Sequence, residues 1–217
     1  ATQCRRPGVK SQLAVVEGKW GAKTNVSVRS LFDVLVDINF KTPHAYVYEM
    51  FCDAHALDNI IARMGNDEHV RYLYIGAHGS GRSISGSGGT VSRAQLKNSL
   101  VRLLSNGQTI EGIFLGTCFF GNEENAAFVL NPNNDPHPPI KWVAGYRESI
   151  DWIDSSVLDL LFWNKFFSSN GTPIQRIEQT AQQILKAAPG LVRDLGFCIY
   201  RRKRGPNGGI RDLMAEA

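Results

Sequence analysis

His78 and Cys118 are the two side chains whose types and contexts could together do chemistry. His78 stands in Ala77-His78-Gly79-Ser80-Gly81, directly after the apolar run Val70-Arg71-Tyr72-Leu73-Tyr74-Ile75-Gly76. Cys118 stands in Gly116-Thr117-Cys118-Phe119, directly after Ile110-Glu111-Gly112-Ile113-Phe114-Leu115. An imidazole beside a thiol can take its proton, and the thiolate that results is a nucleophile for covalent catalysis. Taken alone, a cysteine at a strand end is more often structural, and a lone histidine more often a surface or core residue. The parallel between the two runs favours the catalytic reading, because each delivers small residues and then one reactive group. Gly79 would let the backbone come close to a substrate. Its N–H, with that of Cys118, would form an oxyanion hole.

Both runs read as short buried strands, rich in β-branched and aromatic residues and bounded by Gly and polar residues. The segment from Ser92 to Ser105 between them is helix-like, with Ser92 as N-cap and Leu96, Leu100, Leu103 and Leu104 on the apolar face. Strand, helix, strand is a parallel crossover, so the two strands can be neighbours with their C-terminal ends at one edge. Open α/β sheets carry their sites at that edge. The rest of the chain supplies further elements of this kind. Strands are predicted at Leu13–Glu17, Ala45–Phe51, Lys141–Tyr146 and Phe197–Tyr200. Helices are predicted at Val28–Ile38, Ala56–Met64, Glu123–Leu130, Trp152–Phe167 and, capped by Thr172 with Pro173 at its first position, to about Lys186. The alternation predicts one doubly wound α/β domain over residues 1–217 with a mostly parallel sheet. Residues 1–12 read as a loose N-terminal segment and 201–217 as a polar tail. Ser80 to Ser92, rich in Gly and Ser, reads as a mobile loop or small hairpin over the site, and Asn131 to Pro139 as an exposed loop.

Composition narrows the function classes. The chain has 217 residues, 43% hydrophobic and 20% charged, with a net charge of +4. That is mildly basic and does not imply nucleic acid. The dense basic run Arg201-Arg202-Lys203-Arg204 reads as a solvated tail. Four cysteines without tight spacing do not make a disulfide framework. No run approaches the length of a membrane span. A reducing cytoplasm, which keeps Cys118 free, is the expected location. Cys52-Asp53-Ala54-His55 holds two metal-ligand types but lacks the further ligands a zinc site needs, so no metal is expected. Gly86-Ser87-Gly88-Gly89 lacks the Lys-Ser/Thr ending of a phosphate-binding loop.

The strand order, with Ala77-His78-Gly79-Ser80-Gly81 ending one strand and Leu115-Gly116-Thr117-Cys118 the next, resembles the caspase-like cysteine peptidases. The likeness runs from Leu13 to Tyr200. Val143-Ala144-Gly145-Tyr146 and Asp151-Trp152 look most like the bacterial CHAT-type members. The Gln-Ala-Cys-x-Gly signature of caspases is replaced by Gly116-Thr117-Cys118-Phe119-Phe120, so the likeness is to the wider group.

The resemblance implies a caspase-like three-layer α/β/α sandwich. It implies a cysteine endopeptidase with Cys118 as nucleophile, His78 as base and acid, and no required third residue. No cofactor is implied. Its partners would be a protein or peptide substrate and an activating protein or sensor, in bacterial defence or cell-death signalling, without nucleic acid or membrane. The strand after the cysteine strand would line the pocket for the residue before the cleaved bond. That places Tyr146, Arg147, Glu148 and Asp151 there, with Arg147 selecting an acidic residue, or Asp151 or Glu148 at the floor selecting a basic one. The count of acids favours the basic residue. Two other readings stay open: a flavodoxin-like or TIR-like binding module, and an inactive caspase-like protein used for assembly.

Overall fold

A computed structural model describes residues 12–20, 26–41, 45–103, 110–130, 140–203 and 209–215. The elements follow in the order β1 (Leu13–Gly18), α1 (Arg29–Phe40), β2 (Val47–Phe51), α2 (Ala54–Asn66), β3 (Tyr72–Gly76), β4 (His78–Gly79), β5 (Ser83–Gly86), β6 (Gly89–Ser92), α3 (Arg93–Arg102), β7 (Gly112–Gly116), α4 (Glu123–Leu130), β8 (Trp142–Tyr146), α5 (Trp152–Ser168), α6 (Pro173–Ala187), α7 (Pro189–Asp194), β9 (Phe197–Arg202) and β10 (Ile210–Asp212). A seven-stranded sheet has the order β10-β9-β8-β7-β3-β1-β2. Its strands from β2 to β8 are parallel, and β9 and β10 add antiparallel at one edge. The fold is α/β with a mostly parallel central sheet flanked by helices, a three-layer sandwich.

Alternation along the strands explains the two layers of packing, since successive side chains point to opposite faces. Tyr72 and Tyr74 of β3, Phe114 of β7 and Trp142 of β8 face α1, α5, α6 and α7 in one core. Leu73 and Ile75, Ile113 and Leu115, and Val143 face α2, α3 and α4 in the other. Strands covered on both faces read as continuous apolar runs, which is why these stretches stood out in the sequence. The first core is rich in aromatic side chains. Phe114 stacks on Tyr74 at 5.4 Å and meets Phe162 edge-on at 4.8 Å, pairs worth about 0.5–1.5 kcal/mol each beyond burial.

Local signals set the helix starts. Ser92 and Gln95 form a capping box at α3, and Thr172 with Gln175 another at α6 with Pro173 in the first turn. The stretch read as a mobile loop or small hairpin, Ser80 to Ser92, carries β5 and β6, which pair antiparallel and form a small sheet with β4, between β3 and α3 in the chain. The described residues 201–203 and 209–215 differ from the expected polar tail. Arg201 is buried in β9 and pairs with Glu178 at 2.8 Å, while β10 extends the sheet edge. An antiparallel strand partner, and an ion pair from buried Arg201 to partly exposed Glu178, therefore overrode the charge of the run. Of the segment expected to be loose, Gln12 is described, and its carbonyl accepts the N–H groups of Arg71 and Tyr72. The loop from Asn131 to Pro139 and the position of Leu104 lie outside the described residues. Among the described residues no helix is long and apolar enough to cross a membrane.

Candidate active site

Register brings the two candidate residues together. β3 and β7 pair in parallel with Gly76 opposite Gly116, so both strands end at the same level. His78 and Cys118 each follow two residues later. They line one cavity of about 150 Å³. The loops after all four central parallel strands surround it. Trp20 follows β1, His78 follows β3, Cys118 follows β7, and Ile150 and Trp152 follow β8.

The histidine is held by the loop after β1. Its Nε2 lies 2.8 Å from the carbonyl oxygen of Trp20. A carbonyl can only accept, so Nε2 carries the proton, and in the neutral ring Nδ1 carries the lone pair. The Trp20 indole stands edge-on to the His78 ring at 5.0 Å and to Trp152 at 4.8 Å. Trp20 is itself tied down through its Nε1, which donates to Glu17 Oε1 at 2.5 Å. Glu17, buried at the end of β1, also accepts from Ser27 Oγ at 2.6 Å, from the Val28 N–H at 2.8 Å and from the Tyr48 hydroxyl.

The cysteine sits on a tight turn. Phe119 has φ 59°, a left-handed conformation that a bulky side chain rarely adopts. Its N–H donates to Glu148 O at 3.1 Å, and the Phe120 N–H closes onto Cys118 O at 2.7 Å. Strained backbone of this kind is characteristic of functional turns. Gly79 is packed against that turn. A Cβ at 79 would lie 2.2 Å from Cys118 O and 3.1 Å from Cys118 N, so only glycine permits this approach. Two asparagines then join the turn to the histidine loop. Asn122 Nδ2 donates to Phe119 O at 2.8 Å and Gly81 O at 3.1 Å. Buried Asn125 donates from Nδ2 to Phe120 O and Gly81 O, both at 2.9 Å.

The four residues expected to line the pocket do not line this cavity. Tyr146 is fully buried behind the cavity, with its hydroxyl on Asp159 Oδ1 at 2.5 Å. Arg147 turns the other way, toward Asp212 of β10 at 3.8 Å. Glu148 is exposed and contributes its backbone carbonyl to the cysteine turn. Asp151 caps α5, accepting the N–H groups of Ile153 and Asp154 at 2.8 and 3.2 Å. Neither acid reaches the cavity floor, because one faces solvent and the other is committed to a helix end. The acid that lines the cavity is Asp159, two turns into α5. Its carboxyl is pushed up to about 7 by burial, and the hydroxyls of Tyr74 and Tyr146 pull it back down.

Sequence reasoning missed Asp159, Trp20, Asn122 and Asn125. For Asp159 a signal existed. It lies at helical spacing with Ser155, Leu158, Phe162, Trp163 and Phe166 on the buried stripe of α5, where a carboxylate is out of place. Asn122 directly precedes α4, and its Oδ1 accepts the Asn125 N–H. Nothing in the sequence marked Trp20.

The other candidate clusters are local. Asp53 caps α2 through the Ala56 N–H, and His55 pairs with Asn59. Among the described residues no three His, Cys, Asp or Glu side chains gather as a metal site. The chain matches no protein-family model and no curated protein sequence.

Proposed function

We propose that this chain is a cysteine peptidase in which Cys118 is the nucleophile and His78 the base and acid. One observation carries the reading: the in-register ends of β3 and β7 put both residues on a single cavity, with His78 Nε2 bound to a backbone carbonyl. That bond fixes the tautomer whose Nδ1 can accept the thiol proton. The thiolate then attacks the peptide carbonyl carbon, and the oxygen takes up the negative charge beside the Gly79 and Cys118 amides. Collapse expels the amine, which receives the proton from His78. Water, deprotonated by the same imidazole, releases the acyl group from sulfur and regenerates the thiol. The strained Phe119 turn and the two asparagines support this reading, because catalytic geometry needs held groups.

The test is hydrolysis of a fluorogenic peptide library by the full chain and by Cys118→Ala and His78→Ala. Cleavage by the wild type, lowered at least about 1,000-fold in each variant, is expected for groups that act as a unit. Cleavage that persists in Cys118→Ala overturns the reading.

A further inference from the structure

The cavity that begins at His78 and Cys118 ends on a carboxyl group. Asp159 is 3% exposed. Each of its oxygens accepts one tyrosine hydroxyl, Tyr74 on Oδ2 at 2.7 Å and Tyr146 on Oδ1 at 2.5 Å. Each carboxylate oxygen can take a second donor. The chain makes room for this arrangement: a Cβ at Gly116 would lie 2.2 Å from the Tyr74 hydroxyl oxygen, so a side chain there would displace the hydroxyl from Asp159. Among the described residues no Lys, Arg or His forms an ion pair with Asp159, and uncompensated desolvation is what raises its carboxyl. A buried acid without a cation is destabilising, and such groups are ordinarily paired.

The remaining lining says what would pair with it. Trp20, Trp152 and Ile150 give the cavity apolar walls above the acid. The hydroxyls of Ser155 and Ser156 both donate to the Trp152 carbonyl, at 3.3 and 2.7 Å. With their protons so committed, they offer acceptor oxygens to anything in the cavity. Apolar walls over a floor of acceptors suit a methylene stem that ends in a cation.

We propose that Asp159 is the receptor for the lysine or arginine side chain that precedes the scissile bond, with its charged end on the Asp159 carboxylate and its stem along the apolar wall that the touching Trp20 and Trp152 rings form together. This rests on the reading of His78 and Cys118 as the catalytic pair. It assigns the selecting acid to α5 and not to the turn after β8. The tyrosines are positioning residues, since they hold the carboxylate from the sheet side and leave its cavity side free.

The test uses two peptidyl chloromethyl ketones that are identical except for the last residue, lysine in one and norleucine in the other. The cysteine sulfur displaces chloride, forming a C–S bond while chloride and the thiol proton leave. Labelling is followed by mass spectrometry on the wild-type chain and on Asp159→Asn. Iodoacetamide, which has no side chain to place, reports the intrinsic reactivity of Cys118. The lysyl probe is expected to label Cys118 at least about 30-fold faster than the norleucyl probe in the wild type, a ratio falling to within about 3-fold of unity in Asp159→Asn with iodoacetamide labelling unchanged. Equal wild-type rates for the two probes overturn the assignment whether or not the variant folds, and so does a lysyl preference that survives in a folded Asp159→Asn. If neither probe labels Cys118 faster than iodoacetamide labels exposed Cys52, the catalytic reading fails, and this assignment with it.

Discussion

Replacing Asp159 by asparagine should stabilise the free protein, and more so as pH rises. The carboxyl titrates near 3.8 in an ordinary setting and at about 7 when buried in the fold. Below the first value it is protonated in both folded and unfolded chains and costs nothing. As pH rises, the unfolded chain ionises first and the folded state loses stability, until the carboxyl ionises in the fold as well. At about 1.4 kcal/mol per pKa unit, the full penalty above neutrality is about 4 kcal/mol. Asparagine keeps one acceptor for a tyrosine, and its Nδ2 can donate to the other only if that hydroxyl turns its proton away, which forfeits about 1 kcal/mol. The net gain near pH 8 is therefore about 3 kcal/mol, and a domain of this size would melt roughly 6–12 °C higher. Paired thermal and urea denaturation of the wild type and Asp159→Asn, run from about pH 5 to pH 8, isolates this effect, because other titrating groups cancel in the difference. The gap between the proteins should widen by about 3 kcal/mol over that range. Parallel pH profiles would refute the argument, since they would mean that the folded carboxylate carries no penalty and lacks nothing that a cation could supply.

Four further outcomes are expected. Gly79→Ala forces a methyl to within 2.2 Å of Cys118 O, so peptide cleavage should fall at least about 100-fold while circular dichroism stays native. Asn125→Asp removes both Nδ2 bonds that tie Gly81 to Phe120; kcat should drop about 10- to 100-fold with little change in KM, as expected for misplaced catalytic groups. Cys198→Ala strips the buried thiol donor from Gly121 O, 2.7 Å away, and should cost about 1–2 kcal/mol in urea denaturation, with Cys198→Ser recovering part of it. Trp20→Phe keeps the carbonyl that holds His78 but loses the indole bond to Glu17; the rate should fall less than about 10-fold, whereas Glu17→Ala, which also frees Ser27, Val28 and Tyr48, should cost more.

The central part of the fold was legible because its strands are covered on both faces. Tyr72–Gly76 and Gly112–Gly116 stood out as apolar runs, and their common endings located His78 and Cys118 on one edge without any long-range information. Capping chemistry at Ser92 and Thr172 was local and therefore readable. The pocket was not. Its floor comes from a helix that passes beneath the sheet, and only packing decides that Asp159, and not Asp151, faces the cavity. Counting acids in a turn ignored what each was committed to, and Asp151 was committed to a helix N-terminus. The Trp20 carbonyl could not be read from any side-chain type, because a backbone oxygen holds the histidine. The same limit applies to Arg201, whose burial depends on β10 and Glu178.

Acyl transfer to Cys118 tests the account most directly. The full chain is mixed with activated peptide esters ending in lysine, leucine and aspartate, quenched in acid within seconds, and examined by intact-mass spectrometry and peptide mapping. One acyl group, carried by Cys118, is expected to form and decay during turnover and not to accumulate in His78→Ala. A protein that takes up no acyl group from any ester, or takes it up on exposed Cys52 with no dependence on His78, would contradict it.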